Sequence, residues 1–254
     1  MNQPLSGLGV LVTRPAHQAG GFISLLQQAG AETFALPTIE IQPLTLSDDT
    51  RHRLLQPNCY QIVVFISANA VRFGLPLLQK HTAAQIAAIG EGTARALREQ
   101  GWQVDLVAES GFSSEDLLAL PAMQANAIAG KHILIMRGQG GRELLADTLQ
   151  ARGATVDYAE VYQRCQPQTE TQWLAALWQH RIHLVCVTSN ESLENLYHIL
   201  NAYRDQLLNT LLLVPSARCY QLAQSLGFKH IIQAASATDN NMLQRIIQWH
   251  SQQH

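Results

Sequence analysis

The chain has 254 residues, 47% apolar and 14% charged, with seventeen basic and nineteen acidic side chains and a formal net charge of −2. Such composition builds real cores and excludes a disordered or coiled-coil chain, while the length suits one large or two medium domains. The absence of a basic field argues against nucleic acid as a partner.

Taken in order, residues 8–13 read as a strand of continuous apolar character, ended by Arg14-Pro15. A helix is predicted over 21–29, stopped by Gly30, then an extended run over 31–41 interrupted by Pro37. A short helix over 48–55 precedes a strand at 62–66, the turn Ser67-Ala68-Asn69 and a helix from Ala70. A strand at 86–89 leads to Gly90-Glu91-Gly92-Thr93 and a helix to Gln100, and 104–107 is a further strand. Ser113 to Asp116 reads as a capped helix start. The apolar run 133–136 is a buried strand, followed by Arg137 and the glycine-rich turn Gly138 to Gly141. A helix over 142–151 is closed by Gly153, and 154–162 is extended. The remainder alternates helix (170–180), strand (184–187), helix (193–200), strand (211–214), helix (220–226), strand (230–233) and a terminal helix (241–249). Strands alternating with helices predict an α/β chain with parallel sheets covered on both faces.

The chain also repeats itself. Gly7, Arg14 and Gly30 match Gly130, Arg137 and Gly153 with one constant offset of 123 positions. VVFISANAV, ending at Val71, resembles VCVTSNESL, ending at Leu193, and the stretch around Gly101 resembles that around Gly227. These matches indicate an internal duplication of a module of a little over one hundred residues. Each copy has a long extended run after its first helix, which could leave one domain and enter the next. One domain would then hold both chain ends and the other the middle.

Candidate sites follow from position. Arg14 and Arg137 stand at matching strand ends before helix starts, where free N–H groups and the helix dipole favour an anion. Pairing with local carboxylates is the alternative. Ser67 and Ser189 cap the helices that follow them and could also touch a ligand, and Thr93 has the same dual reading. Neither glycine loop completes a dinucleotide fingerprint, because Glu143 stands where the third glycine should be, and there is no phosphate loop. No GxSxG elbow exists. The ten histidines are scattered without carboxylate or cysteine partners, so no metal is expected. Cys59, Cys165, Cys186 and Cys219 lie far apart with no CxxC, which suits a reducing cytosol. The start MNQPLSGLG lacks a basic region before an apolar stretch, so no signal peptide is expected. No apolar run is long enough to span a membrane.

LVTRP, FISANAV, IGEGTARAL with a later Gly-Trp, ILIMRGQGGRELLADTLQARGATV, EVYQR and VTSNESL, in that order and spacing, resemble the bacterial uroporphyrinogen-III synthase family over nearly the whole chain. The resemblance implies two flavodoxin-like domains joined by a two-stranded linker, with a cleft between them. On this chain the domains would be 1–36 plus 166–254, and 42–158, with linkers near 37–41 and 159–165. It implies a cyclising lyase that closes hydroxymethylbilane to uroporphyrinogen III with loss of water and inversion of the last ring. No cofactor or metal is implied, and the enzyme would be a cytoplasmic monomer with a small-molecule substrate. Tyr162 matches the family tyrosine thought to help the hydroxyl leave, and its bland reading is an ordinary strand tyrosine. Ser67, Thr93 and Ser189 match polar positions near the cleft. Cys219 departs from the family, which often has threonine there, and Ser216 could replace that hydroxyl. The competing functional class is a two-domain sensor that closes on a small anion without chemistry.

Overall fold

The computed structural model describes residues 3–55, 59–78, 83–108, 111 and 113–253. In chain order its elements begin with β1 (Gly9–Val12), α1 (Ala16–Gln28), β2 (Glu32–Ala35), β3 (Glu40–Pro43), α2 (Asp48–Leu55), β4 (Ile62–Phe65), α3 (Ala68–Gly74), β5 (Gln85–Ala88), α4 (Glu91–Glu99) and β6 (Leu106–Val107). The middle holds α5 (Ser114–Ala119), α6 (Ala125–Ile128), β7 (His132–Gly138), α7 (Leu144–Ala151) and β8 (Thr155–Cys165). The rest is α8 (Leu174–Trp178), β9 (Leu184–Cys186), α9 (Asn190–Ile199), α10 (Arg204–Asn209), β10 (Leu211–Val214), α11 (Ala217–Ser225), β11 (Ile231–Gln233) and α12 (Asp239–Ser251). The chain divides into two compact units: Met1–Glu40 with Cys165–His254, and Ile41–Arg164.

The first unit's sheet runs β2-β1-β9-β10-β11, and every pairing along it is parallel. In chain order within the unit this is 2-1-3-4-5, the flavodoxin-like winding. The second unit's sheet runs β3-β8-β7-β4-β5-β6, with parallel pairing from β8 through β6. Beyond the edge strand β3, the same winding recurs, with β7 and β8 standing where β1 and β2 stand in the first sheet. Parallel strands need crossovers that put helices on both faces, so the inner strands are apolar at consecutive positions. In β1, Val10 and Val12 face α1 and α12 through Phe22, Leu26, Met242 and Ile246. Leu11 faces the opposite cluster, with Leu174, Leu193, Leu196 and Leu207. The second sheet has the same two-sided core: Val63, Phe65 and Leu134 pack with Val71 and Leu97 on one face, and Ile62, Val64 and Ile135 with Leu117 and Leu149 on the other.

Most strands fall within a residue or two of their sequence-predicted positions. Several helices start earlier than predicted, because their first turns are small or polar and carry no apolar period: α9 begins at Asn190, α11 at Ala217, and α1 at Ala16, directly after Pro15. The helix predicted over 170–180 is shorter, at Leu174–Trp178. Gly30 and Gly153 follow α1 and α7 with φ of 95° and 90°. That left-handed turn ends a helix at little cost only for glycine. Among the described residues no helix is long and apolar enough to cross a membrane.

Candidate functional site

In a 2-1-3-4-5 sheet the crevice lies at the carboxyl ends of the strands, where the winding reverses.

In the second unit, Ser67 follows β4 and caps α3, accepting from the Ala70 N–H at 3.0 Å. Its hydroxyl also shares a hydrogen bond of 3.1 Å with the phenol of Tyr162 on β8, and either oxygen can be the donor. Tyr162 is 4% exposed and belongs to the apolar cluster under α3 and α4. Its ring sits 6.1 Å from that of Phe73, tilted by 32°. Thr93 lies in the first turn of α4, whose cap is Gly90 without a side-chain bond. It is buried, and its hydroxyl has no partner among the described residues.

Arg137, at the end of β7, is 3% exposed. It donates to the Gly138 carbonyl and to that of Gly140, pairs with Glu143 at 3.1 Å, and lies 3.9 Å from Glu160. Its guanidinium stacks 4.4 Å from the centre of the Tyr158 ring, and Tyr158 donates to Glu143. Burial, with the Glu143 carboxylate beside it, pushes the Tyr158 phenol up to about 12. The bonds from Tyr158 and then Arg137 hold Glu143 below the usual carboxylate range. Together these bonds make the cluster a clamp on the loop 138–143.

In the first unit, Ser189 caps α9 and Ser216 caps α11, accepting from Ser192 N–H at 3.0 Å and Cys219 N–H at 3.3 Å. Both line an open trough of about 610 Å³ with Thr188, Asn190, Arg218, Ser236 and one carboxylate, Glu191. Arg14 is paired with Asp239 at the start of α12 and donates to the Ala237 carbonyl at 2.8 Å. Like Arg137, it ties a loop to the sheet through protein acceptors. Beneath the edge lies a buried hydroxyl network: Thr13 donates to the Cys186 carbonyl at 2.7 Å, and Ser192 Oγ lies 3.0 Å from Thr13 Oγ1 and 2.8 Å from Thr38 Oγ1. Burial pushes the Cys219 thiol up to about 11, with the Glu194 charge adding to it. Cys219 is fully buried and its thiol is not part of the trough lining.

The structure therefore joins Tyr162 to Ser67, places Ser189 and Ser216 in one trough, and gives each arginine a local carboxylate. Sequence reasoning did not find Glu143, Tyr158 and Glu160 around Arg137, Asp239 beside Arg14, or the Thr13–Ser192–Thr38 network. One signal was legible: Ser192 is three residues after the capping Ser189, the position whose N–H a cap satisfies.

Residues 21–244 match the family model described as uroporphyrinogen-III synthase HemD. The chain is 36% identical to the uroporphyrinogen-III synthase of Escherichia coli K12 over 249 residues, covering 95% of this chain and all of that one. It is 37% identical to that of Salmonella typhimurium over 254 residues, with the same coverage. Two solved uroporphyrinogen III synthases share the fold. The one from Helicobacter pylori has a TM-score of 0.61 at 15% identity, covering 95% of this chain and 99% of that one. A mutant of the Thermus thermophilus protein has 0.57 at 16%, covering 97% and 100%. A family model over most of the chain and relatives more than a third identical along nearly all of it place the chain in the uroporphyrinogen-III synthase family.

Proposed function

We propose that this chain is a cyclising lyase that closes hydroxymethylbilane to uroporphyrinogen III, inverting the last ring and releasing water. The observation that carries the chemistry is the Tyr162–Ser67 hydroxyl pair at the carboxyl edge of the second sheet, in a chain of this family. Hydroxide leaves a hydroxymethyl group readily only when a proton or hydrogen bond reaches it, and a positioned acid supplies about 10²–10⁴-fold. Ser67 already accepts from Ala70 N–H. When it donates its own proton to Tyr162 Oη, the phenol hydrogen is left for the departing oxygen. A phenol adds no negative charge beside a substrate that carries eight carboxylates.

Those carboxylates need donors, and the net charge of −2 offers no basic field. Ser189, Ser216 and the starts of α9 and α11 in the trough, together with Thr93, supply hydroxyls and N–H groups instead. Arg14 and Arg137 fix the segments at 237–239 and 138–143, and would reach a carboxylate directly only by releasing Asp239 or Glu143. The reading needs no metal or organic cofactor. It describes a cytoplasmic monomer with a small-molecule substrate, without nucleic acid or membrane. The shared winding and the matched segments support an internal duplication, with residues 37–41 and 159–165 as the two connections between domains.

The test is direct. The protein is mixed with freshly made hydroxymethylbilane and the cyclic isomer identified. Spontaneous closure gives uroporphyrinogen I, so isomer III is the expected product. Isomer I alone, at the uncatalysed rate and with ligand bound, would leave a binding protein without chemistry.

A further inference from the structure

The ladder between β7 and β8 slips by one residue just before Tyr162. Register runs evenly from His132 opposite Thr155 to Arg137 opposite Glu160, and then Gly138 stands opposite Tyr162. Val161 is the extra residue. Without the slip, Tyr162 would share a face with Tyr158 and Glu160, because strand side chains alternate. With it, Ala159, Val161 and Tyr162 all enter the same core cluster. Bulges re-aim single side chains in this way.

The re-aimed ring needs room, and Gly138 provides it. A Cβ at position 138 would lie 2.6 Å from Cε2 and Cζ of Tyr162 and 3.0 Å from its hydroxyl oxygen. Gly138 is not among the glycines with positive φ, so backbone conformation does not demand glycine there. The demand comes from the phenol, which rests against the bare α-carbon. Gln139 N–H donates to the Tyr162 carbonyl at 2.8 Å and holds the strand end in place. Ser67 takes the hydroxyl at the far end of the ring.

We propose that Gly138 is a positioning residue: with the slip at Val161, it sets the Tyr162 phenol where Ser67 can hold its hydroxyl. The inference rests on the role proposed for Tyr162, and the test separates the two. Gly138→Ala, Tyr162→Phe and the double variant are compared for kcat and KM. Gly138→Ala should lower kcat at least tenfold with KM within about threefold, and add less than about twofold in the Tyr162→Phe background. Equal losses in both backgrounds would make Gly138 a fold residue only and overturn the proposal. If Tyr162→Phe turns over normally, the catalytic reading of Tyr162 fails, and the positioning claim is then read by NMR of protein labelled at the tyrosine Cζ. The signal missing in Tyr162→Phe should shift in Gly138→Ala and stay in place in Gly92→Ala, where an added Cβ meets nothing within 4 Å. An unmoved signal in Gly138→Ala overturns the claim. If Gly138→Ala does not fold, Gly138→Ala with Tyr162→Leu should restore folding by removing the ring. A double variant that remains unfolded overturns it as well.

Discussion

The two sheets share a winding but treat their carboxyl edges in opposite ways. In both, a serine after the third strand of the winding caps the next helix: Ser189 before α9 and Ser67 before α3. Three residues on, the first unit has Ser192, tied to Thr13 and Thr38. The second has Ala70, in an apolar cluster with Met136 and Val161. The sequence offset that pairs Thr13 with Met136 also pairs Thr38 with Val161, and Ile39 with Tyr162. The first unit thus buries its hydroxyls as structure, each satisfied by another protein group. The second keeps an apolar floor and places a hydroxyl pair above it. The same scaffold makes one edge polar underneath and gives the other a phenol.

Removing that phenol is the largest expected break in the comparison. Tyr162→Phe should keep the fold, since the ring contacts with Phe73 and Gly138 remain. It should lower turnover at least tenfold, toward the scale of a positioned general acid, with substrate binding largely kept. Turnover within about twofold of the parent, measured as isomer III formed, would shift the leaving-group assistance to backbone, water or the substrate's own pyrroles. Binding in a curled geometry would then carry most of the catalysis.

The two arginines come next, because one is more deeply committed. Arg137 is 3% exposed in its side chain and Arg14 11%. Arg137→Ala strands two backbone carbonyls and leaves Glu143 and Glu160 with their donors Tyr158 and Gly140 N–H, and should lower stability by about 2–3 kcal/mol, as lost bonds to charged groups do. Arg14→Ala should lower it by about 1–2 kcal/mol on the same basis. Urea unfolding of both variants gives the ranking. Equal and negligible changes in stability, with weakened ligand binding, would return both guanidiniums to direct substrate contact.

The strands were the most legible part of the sequence, because parallel strands covered on both faces show as unbroken apolar runs. Helix starts were not, since Ser189-Asn190 and Ser216-Ala217 carry no apolar period while their caps already fix the first turn. The arginines were visible and their partners were not: Asp239 lies 225 positions from Arg14, a distance no local pattern spans. Gly138 stands in the sequence only as part of a glycine-rich turn before a helix, because glycine in a turn and glycine against an aromatic ring leave the same letters. The slip at Val161 has no letter at all; it appears only when β8 is laid against β7.

Exchanging the floors sharpens the comparison further. Ser192→Ala removes the bridge between two threonines that keep their bonds to backbone carbonyls, so it should cost about 1–2 kcal/mol. Ala70→Ser places a hydroxyl in the apolar cluster and should cost about as much, for lack of a partner. Thermal unfolding reads both. A neutral Ala70→Ser would mean that the second floor already tolerates a polar group, and the contrast between the edges would shrink to Tyr162 alone.

The smallest effect belongs to Thr93, and its sign is what informs. The offset near the chain's second glycine-capped helix pairs Thr93 with Cys219, so one unit has a buried threonine where the other has a buried cysteine. The Thr93 hydroxyl has no partner among the described residues, so no bond to another such residue would be lost with it. Thr93→Val keeps the branched shape and removes only the oxygen. Stability should change by no more than about 0.5 kcal/mol, since Thr93 Oγ1 is not among the buried unpartnered side-chain atoms of the described residues. If that hydroxyl meets a substrate carboxylate, KM should rise about threefold to tenfold while kcat changes little, because binding in the ground and transition states weakens together. Cys219→Ser in the other unit should leave KM unchanged, since the Cys219 thiol is not part of the trough. A Thr93→Val variant that loses stability and keeps its KM would put this hydroxyl among the structural ones, as in the first unit, and leave the Tyr162–Ser67 pair as the second unit's own chemical feature.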